Sequence, residues 1–141
     1  MASEAISGIG TKFRWMDGSI WAELAEITNI GGPNKTRDTI DVTNLDSPGG
    51  YKEYIAGMRD AGEISLDMNF TRETYAIVNA LFESEDLADF QIMLQDDEHT
   101  TFSFAGLVTT ISMGIPANDK ISANATIKIS GQITENSGSS A

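Results

Sequence analysis

The stretch GEISLDMNF, residues 62–70, puts Ile64, Leu66, Met68 and Phe70 on one side of an extended chain and Glu63, Ser65, Asp67 and Asn69 on the other. That two-residue period is the mark of a strand with one buried face. At Thr71 the period changes. Thr71 can serve as N-cap, Glu73 falls in a first turn where the helix dipole favours a carboxylate, and Tyr75, Val78, Leu81 and Phe82 share one helical face. A helix over residues 71–84 is too short to stand alone, so it must lie against a sheet. The abrupt exchange of one period for the other fixes the class: mainly β, with a single packed helix.

The rest of the chain reads mostly as strand. Residues 1–19 are expected to form an N-terminal arm, starting with the small, polar residues 1–12. Ile20–Ile30 suits a strand better than a short helix, because it runs into the break GGPN. TRDTIDVTNL alternates around Ile40 and Val42. The turn DSPGG follows, then YKEYIAGMRDAG, which is too polar for a solid strand and leaves room for a helical turn. Asp46–Ala61 is therefore expected as a long loop. LADFQIMLQDD, TFSFAGLVTTISMGI (with kinks expected at Gly106 and Gly114) and ISANATIKISGQI supply further strands, and residues 135–141 a flexible end. About six strands and one helix make a sandwich or barrel, with a single β domain over residues 20–134.

The formal charge is −12, with nine basic residues scattered among 21 acidic ones. A surface that grips nucleic acid or anionic membrane needs clustered Lys and Arg, which this chain lacks. There is no cysteine, no apolar run near twenty residues, and no Sec-type leader in MASEAISGIG. Chemistry finds little support. His99, the only histidine, stands in DDEHTT, where a metal site with Asp96, Asp97 and Glu98 is outweighed by an ordinary surface turn. No GxSxG precedes a helix, and GGPNKT lacks the phosphate-loop spacing. Glu63 and Asp67 lie on a polar strand face, where solvated carboxylates are common. Phe102 and Phe104 could stack bases but have no basic residue between them, so core packing is the better reading. Trp15 and Trp21 suit a contact with a neighbour, and for Trp21 an ordinary core role is equally open. The sequon at Asn124 has no secretory context. No catalytic residue, cofactor or metal is expected, and the chain is read as not an enzyme.

The stretch IDVTNLDSPGGYKEYIAGMRDAGEISLDMNF resembles the hallmark region of the major tail tube proteins of long-tailed, non-contractile bacteriophages. The positions that carry the likeness are Thr43, Asp46, Ser47, Gly49, Tyr51, Glu53, Tyr54, Ile55, Gly57, Arg59, Asp60 and Gly62. The helix after Thr71 and the strand FSFAGLVTTISMGIP also fit, so the likeness covers residues 20–134. The resemblance implies a tail tube fold and a structural virion protein. Its hexameric rings join their inner sheets into a β-barrel and stack into a tube that conducts the genome into the host. It implies self-assembly, contacts with tail terminator and tail tip proteins, a tape measure protein in the lumen during assembly, and double-stranded DNA passing without specific binding. No membrane binding is implied, and the protein would reside in the virion tail after assembly in the host cytoplasm. The immunoglobulin-like domain of some relatives is expected to be absent, since the sequence stops at Ala141.

The resemblance makes Asp46–Ala61 an inter-ring loop, mobile in a free subunit and ordered in the tube. Its contact residues would be Asp46, Ser47, Gly49, Tyr51, Lys52, Glu53, Tyr54, Ile55, Met58 and Arg59. Lys52 and Arg59 are the cations suited to offset repulsion between like-charged rings. Glu63 and Asp67 are candidate lumen residues, on the inner-sheet assignment that the resemblance supplies. The competing readings are a tube of a contractile or secretion-type system with the same fold, a monomeric β-rich binding module using Phe102 and Phe104, and an enzyme with an acidic cleft.

Overall fold

The computed structural model describes residues 8, 10–95 and 99–136. Nine strands and one helix follow in the order β1 (Lys12–Asp17), β2 (Ile20–Glu23), β3 (Ile27–Gly31), β4 (Thr36–Asp41), β5 (Tyr54–Asp60), β6 (Glu63–Asn69), α1 (Arg72–Glu83), β7 (Ala88–Met93), β8 (Thr101–Gly114) and β9 (Ser122–Asn136). Seven strands form one sheet in the order β2-β1-β7-β8-β9-β6-β3, and β4 and β5 form a separate pair. The fold is the expected one, mostly β with a single helix packed against the sheet.

The long sheet works as two layers that share β8 and β9. The first half of β9, Ser122–Lys128, pairs with β6, whereas β7 pairs only with Thr101–Gly106 at the start of β8. An inner layer, β3-β6-β9-β8, thus passes into an outer layer, β9-β8-β7-β1-β2. Register shifts lie between Ser103 and Ala105 and between Val108 and Thr110, in the part of β8 where the layers exchange. Bulges bend and twist a strand, which lets one sheet fold over itself. The kink in β8 was expected at Gly106 or Gly114; the second shift falls at Thr109 instead. Between the layers lies one core: Ile64, Leu66 and Met68 of β6, Ala125 and Ile127 of β9, Val108 of β8, Phe90 of β7 and Phe13 of β1. The rings of Phe13, Phe90 and Phe104 meet at centroid distances of 5.7–6.5 Å.

Helix α1 packs against β8 at one side of the sandwich. Thr71 Oγ1 accepts the Thr74 N–H at 3.1 Å, as the sequence predicts. Phe70 and Tyr75 flank the cap with ring centroids 5.4 Å apart, a hydrophobic staple across the first turn. Val78 and Thr74 are buried. Replacing Thr71 with Ala should lower stability by about 1 kcal/mol, the usual worth of such a cap. A denaturant midpoint equal to that of the wild type would show that the tertiary contacts of α1 hold it without the cap.

Four expectations need correction. The arm does not extend to residue 19: Lys12–Asp17 is a sheet strand, and Phe13, 1% exposed, is among the most buried side chains. A strand this short carries only two inward residues, Phe13 and Trp15, too few for a visible period. Ile20–Ile30 is two strands, parted where Glu26 takes a φ of 62° while its backbone carbonyl and carboxylate accept from Asn69. Asp46–Ala61 is not a loop throughout. Its second half is β5, and Pro48–Gly50 is a short 3-10 turn with no helix after it. Glu135 and Asn136 belong to β9 rather than to a flexible end. Phe104 is core, as preferred over a stacking role, and Phe102 is half-buried.

A projecting hairpin, a polar sheet face and two open edges

The β4–β5 pair is the continuation of β3–β6. Gly31 faces Ser65 and Thr36 faces Asp60, so five residues on one strand are matched by five on the other and the register carries across the break. Two glycines make the break. Gly62 has φ +87°, and a Cβ there would collide with the Asn34 carbonyl; Gly32 has φ +93°, and a Cβ there would collide with the carbonyl of Glu63. The two chains cross so closely at this root that no side chain fits at either glycine. Asp60 fastens the root. Its carboxylate accepts the Gly62 N–H at 2.8 Å and pairs with Lys128 Nζ at 3.1 Å. The Gly62 bond, and then Lys128, hold the Asp60 carboxyl below the ordinary aspartate range. A depressed carboxylate contributes above its unfolded pKa and loses that contribution as pH falls through its folded value. The root should therefore loosen only in acid, below the usual carboxylate range, as the Gly62 amide signal would report. Gly62→Val should displace the hairpin and cost on the order of 1–3 kcal/mol in strain. An unchanged melting temperature together with unchanged assembly would show that the root tolerates a Cβ.

Beyond the root the hairpin touches none of the buried core, and every residue of β4 is exposed. Its tip holds itself together. Val42 N–H donates to the Glu53 carbonyl at 2.9 Å, and Thr43 Oγ1 accepts the Glu53 N–H at 2.7 Å. Ser47 Oγ accepts the Asn44 N–H at 3.0 Å and donates to Glu53 Oε2 at 2.7 Å. Asn44 Oδ1 accepts the Asp46 N–H at 2.8 Å. Thr43, Ser47 and Glu53, singled out in the sequence, are thus the residues that shape the tip. Tyr51, Tyr54, Ile55 and Met58 are exposed, as are Ile40, Val42 and Leu45; Leu45 and Met58 are more than 80% exposed. These seven are half of the fourteen exposed large hydrophobic side chains among the described residues. Lys35, Arg37, Lys52 and Arg59, four of the nine basic residues, also lie on or beside the hairpin. None of them is in an ion pair among the described residues, where the two pairs are Lys12–Glu23 and Lys128–Asp60. An isolated two-stranded hairpin is marginal in water, and exposed large apolar side chains gathered on one projecting element are what a contact surface commonly carries.

The outer surface of the inner layer is polar. Glu63, Ser65 and Asp67 of β6 point away from the core, as their period predicts. Glu63 lies opposite Lys128 of β9, and Asp67 opposite Asn124. Asp67 accepts from Asn29 Nδ2 at 3.4 Å and, with the Asn124 amide oriented to satisfy both its atoms, from Asn124 at 2.8 Å. Thr126, Ser122, Thr110 and Ser112 add small hydroxyls to this face, Leu107 sets one exposed apolar side chain in the row of Lys128 and Glu63, and Lys128 is paired with Asp60. The two carboxylates lie on one face but four residues apart along the same strand and make no contact with each other. Asp96, Asp97 and Glu98 of the imagined metal site lie outside the described residues, and His99 is exposed. Among the described residues no cluster of three or more His, Cys, Asp or Glu side chains could hold a metal.

Among the described residues, both sides of the inner layer end in open edges. β3 pairs there with β6 alone. On the other side β7 leaves off at Gly106, so the second half of β8, Leu107–Gly114, has among those residues a strand neighbour only in β9. This second edge could not be read from the sequence, because it depends on where β7 stops.

The sequence profile of the family described as lambda phage tail tube protein matches residues 8–136. No match to a curated protein sequence was found. Several solved structures share the fold at low identity. A chain from the tail of an empty gene transfer agent particle, obtained by helical refinement with C6 symmetry, superposes with a TM-score of 0.77 at 22% identity, covering 94% of this chain and 99% of that one. A chain of the sheath–tube complex of an extracellular contractile injection system in its extended state gives 0.71 at 16% identity, over 96% and 93%. A chain of the SPP1 tail tube gives 0.69 at 10% identity, over 95% and 80%.

Proposed function

Since the chain belongs to the lambda phage tail tube protein family, and is thus a structural, tube-forming protein of the virion tail, we propose that six copies close into a ring by joining the edge of β3 to the open half of β8 on the next copy. The rings then stack through the hairpins into a long, non-contractile tube. The observation that carries this reading is the pair of open edges on an inner layer of four strands. Neighbouring strands in that layer are all antiparallel. With an even number of strands, β3 of one copy meets β8 of the next with the alternation intact, and a closed barrel removes every exposed edge. The tail of the gene transfer agent particle, refined with C6 symmetry, supports a sixfold ring. Six copies of four strands give 24. At about 4.8 Å per strand the circumference is roughly 115 Å, or about 37 Å across before strand tilt widens it, enough for a duplex.

The polar face then lines the channel, with Glu63 and Asp67 among its charges. Six copies carry 6 × −12 = −72 formal charges per ring. A wall of this sign gives phosphate nothing to hold, so DNA slides past unbound. During assembly a tape measure protein would occupy the lumen, and terminator and tip proteins would cover the hairpins or their acceptors at the two ends. Negative-stain images of concentrated protein test the reading. Rings or tubes with a stained central channel are expected; a chain that stays monomeric at high concentration would overturn it in favour of a binding module.

A further inference from the structure

A cleft of about 800 Å³ opens beneath the β3 edge, between the two layers, lined by Ile27, Ile30, Pro33, Ile92, Leu94 and Phe102, with the polar Thr28 and Asn29 and the chain's own Gly8, Gly10 and Thr11 on its remaining sides. On the opposite side of the subunit, α1 packs on β8 and leads into β7. Phe82 and Leu87, at 39% and 54%, are exposed there although both are large and apolar. Thus a hollow with an apolar floor and a polar rim lies below one open edge, and two exposed apolar side chains stand on the helix that packs on the strand of the other.

We infer that Phe82 and Leu87 of one copy fill this cleft in the next copy around the ring, as a second layer of contact beneath the joined strands. The inference rests on the ring proposed above, and the occupant is a second copy of this chain. Bringing β3 to the open half of β8 places the underside of each edge beside the other. The heights also match. The helix runs from the Phe70 end of the inner layer down to Ala88, which pairs with Gly106, one position from the row of Leu107, Lys128 and Glu63. On its β3 side the cleft spans the same interval, from Ile27 opposite Met68 to Gly32 against the Glu63 carbonyl. Charge agrees with shape. Glu83, Glu85 and Asp86 flank the two apolar residues in sequence and have no ion pair among the described residues, while Lys35 and Arg37 follow the cleft residue Pro33 in sequence, also unpaired there. Such an interface is heterologous, since knob and hollow lie on different sides of one chain, and it closes only as a ring.

The absence of native cysteine makes the test direct. Tubes are assembled from a mixture of two single variants, Leu87→Cys and Leu94→Cys, and oxidised. A covalent dimer should form in the mixture and in neither variant alone. Phe82→Asp, at an exposed position, should leave the monomer's melting temperature unchanged and lower the pelletable tube fraction at least tenfold. Normal tubes that give no mixed dimer would overturn this inference and leave the ring reading intact. A wild-type chain that forms no rings would remove both. A chain carrying Leu94→Cys together with Ser3→Cys that instead closes a disulfide within itself would also overturn it, assigning the cleft to the chain's own first residues.

Discussion

Removal of residues 36–60, with Lys35 joined to Ala61 through an Asn-Gly turn, should abolish tube growth and leave a folded body. The graft is geometrically mild, because Thr36 and Asp60 already face each other and Asn-Gly closes two-residue hairpins. The body loses no buried residue, since the hairpin contributes none to the core. On the proposed reading the tube loses its stacking surface. Full burial of a large apolar side chain is worth about 1.5–3 kcal/mol, so seven partly buried ones amount to on the order of 5–10 kcal/mol per hairpin before ordering costs. That sum must outweigh the repulsion between rings of equal charge, and the four unpaired basic side chains of the hairpin region help. Sedimentation and near-ultraviolet circular dichroism together decide the matter. A native spectrum with no species larger than a ring is expected. Tubes of normal length from the shortened chain would show that rings stack through another surface. A milder variant, Ile40→Asp with Ile55→Asp, charges two residues that face each other across the hairpin, and should reduce stacking with no change in the body.

Replacing Glu63 and Asp67 with lysine should slow DNA passage, most strongly at low salt. Both positions are exposed on a regular strand, where a change of charge alters stability by a few tenths of a kcal/mol. Each chain becomes four charges more positive, so a ring goes from 6 × −12 = −72 to 6 × −8 = −48. The local change is larger. Glu63→Lys sets a new cation opposite Lys128, and Asp67→Lys sets another among the neutral amides of Asn29 and Asn124. The channel then presents cations at two heights, and phosphates exchange their counterions for them. Screening at 1 M salt shortens the reach of such charges to about 3 Å, so the delay should vanish there. Tails built from the double variant should have normal length, and the timing of genome ejection at two salt concentrations gives the answer. Equal ejection times at both salts, with the residues shown to face the channel, would mean that these charges do not govern passage.

Some of this was legible in the residues. The period of Ile64–Phe70 and the cap at Thr71 are local signals, and both elements form where they point. Phe13 was missed because a six-residue strand with Lys12, Arg14 and Asp17 on it looks like an arm until β7 lies beside it. Tyr54–Asp60 was missed for the opposite reason. Its residues are nearly all exposed, so neither face carries a steady apolar period, and the strand exists because it prolongs the β3–β6 register. Of the contact residues named from the resemblance, Ser47 and Glu53 serve inside the hairpin tip, while Tyr51, Tyr54, Ile55 and Met58 are free to meet a partner. The open half of β8 and the cleft under β3 depend on where distant strands stop, and no stretch of sequence reports that.

The shared register of β3–β6 and β4–β5 also has a mechanical meaning. In the proposed tube, the β3–β6 pair that would form part of a ring's wall continues in register, across the unpaired break at Gly32 and Gly62, as the β4–β5 arm that would reach the next ring. Tension along the tail would be borne by continuous backbone rather than by side chains at a seam. The crossing at Gly32 and Gly62 is the narrowest point of that ladder and the place where regular pairing lapses. It would act as a joint, letting each arm swivel while the wall on either side stays closed. A tail built this way can curve by small rotations at every level and still keep a sealed bore.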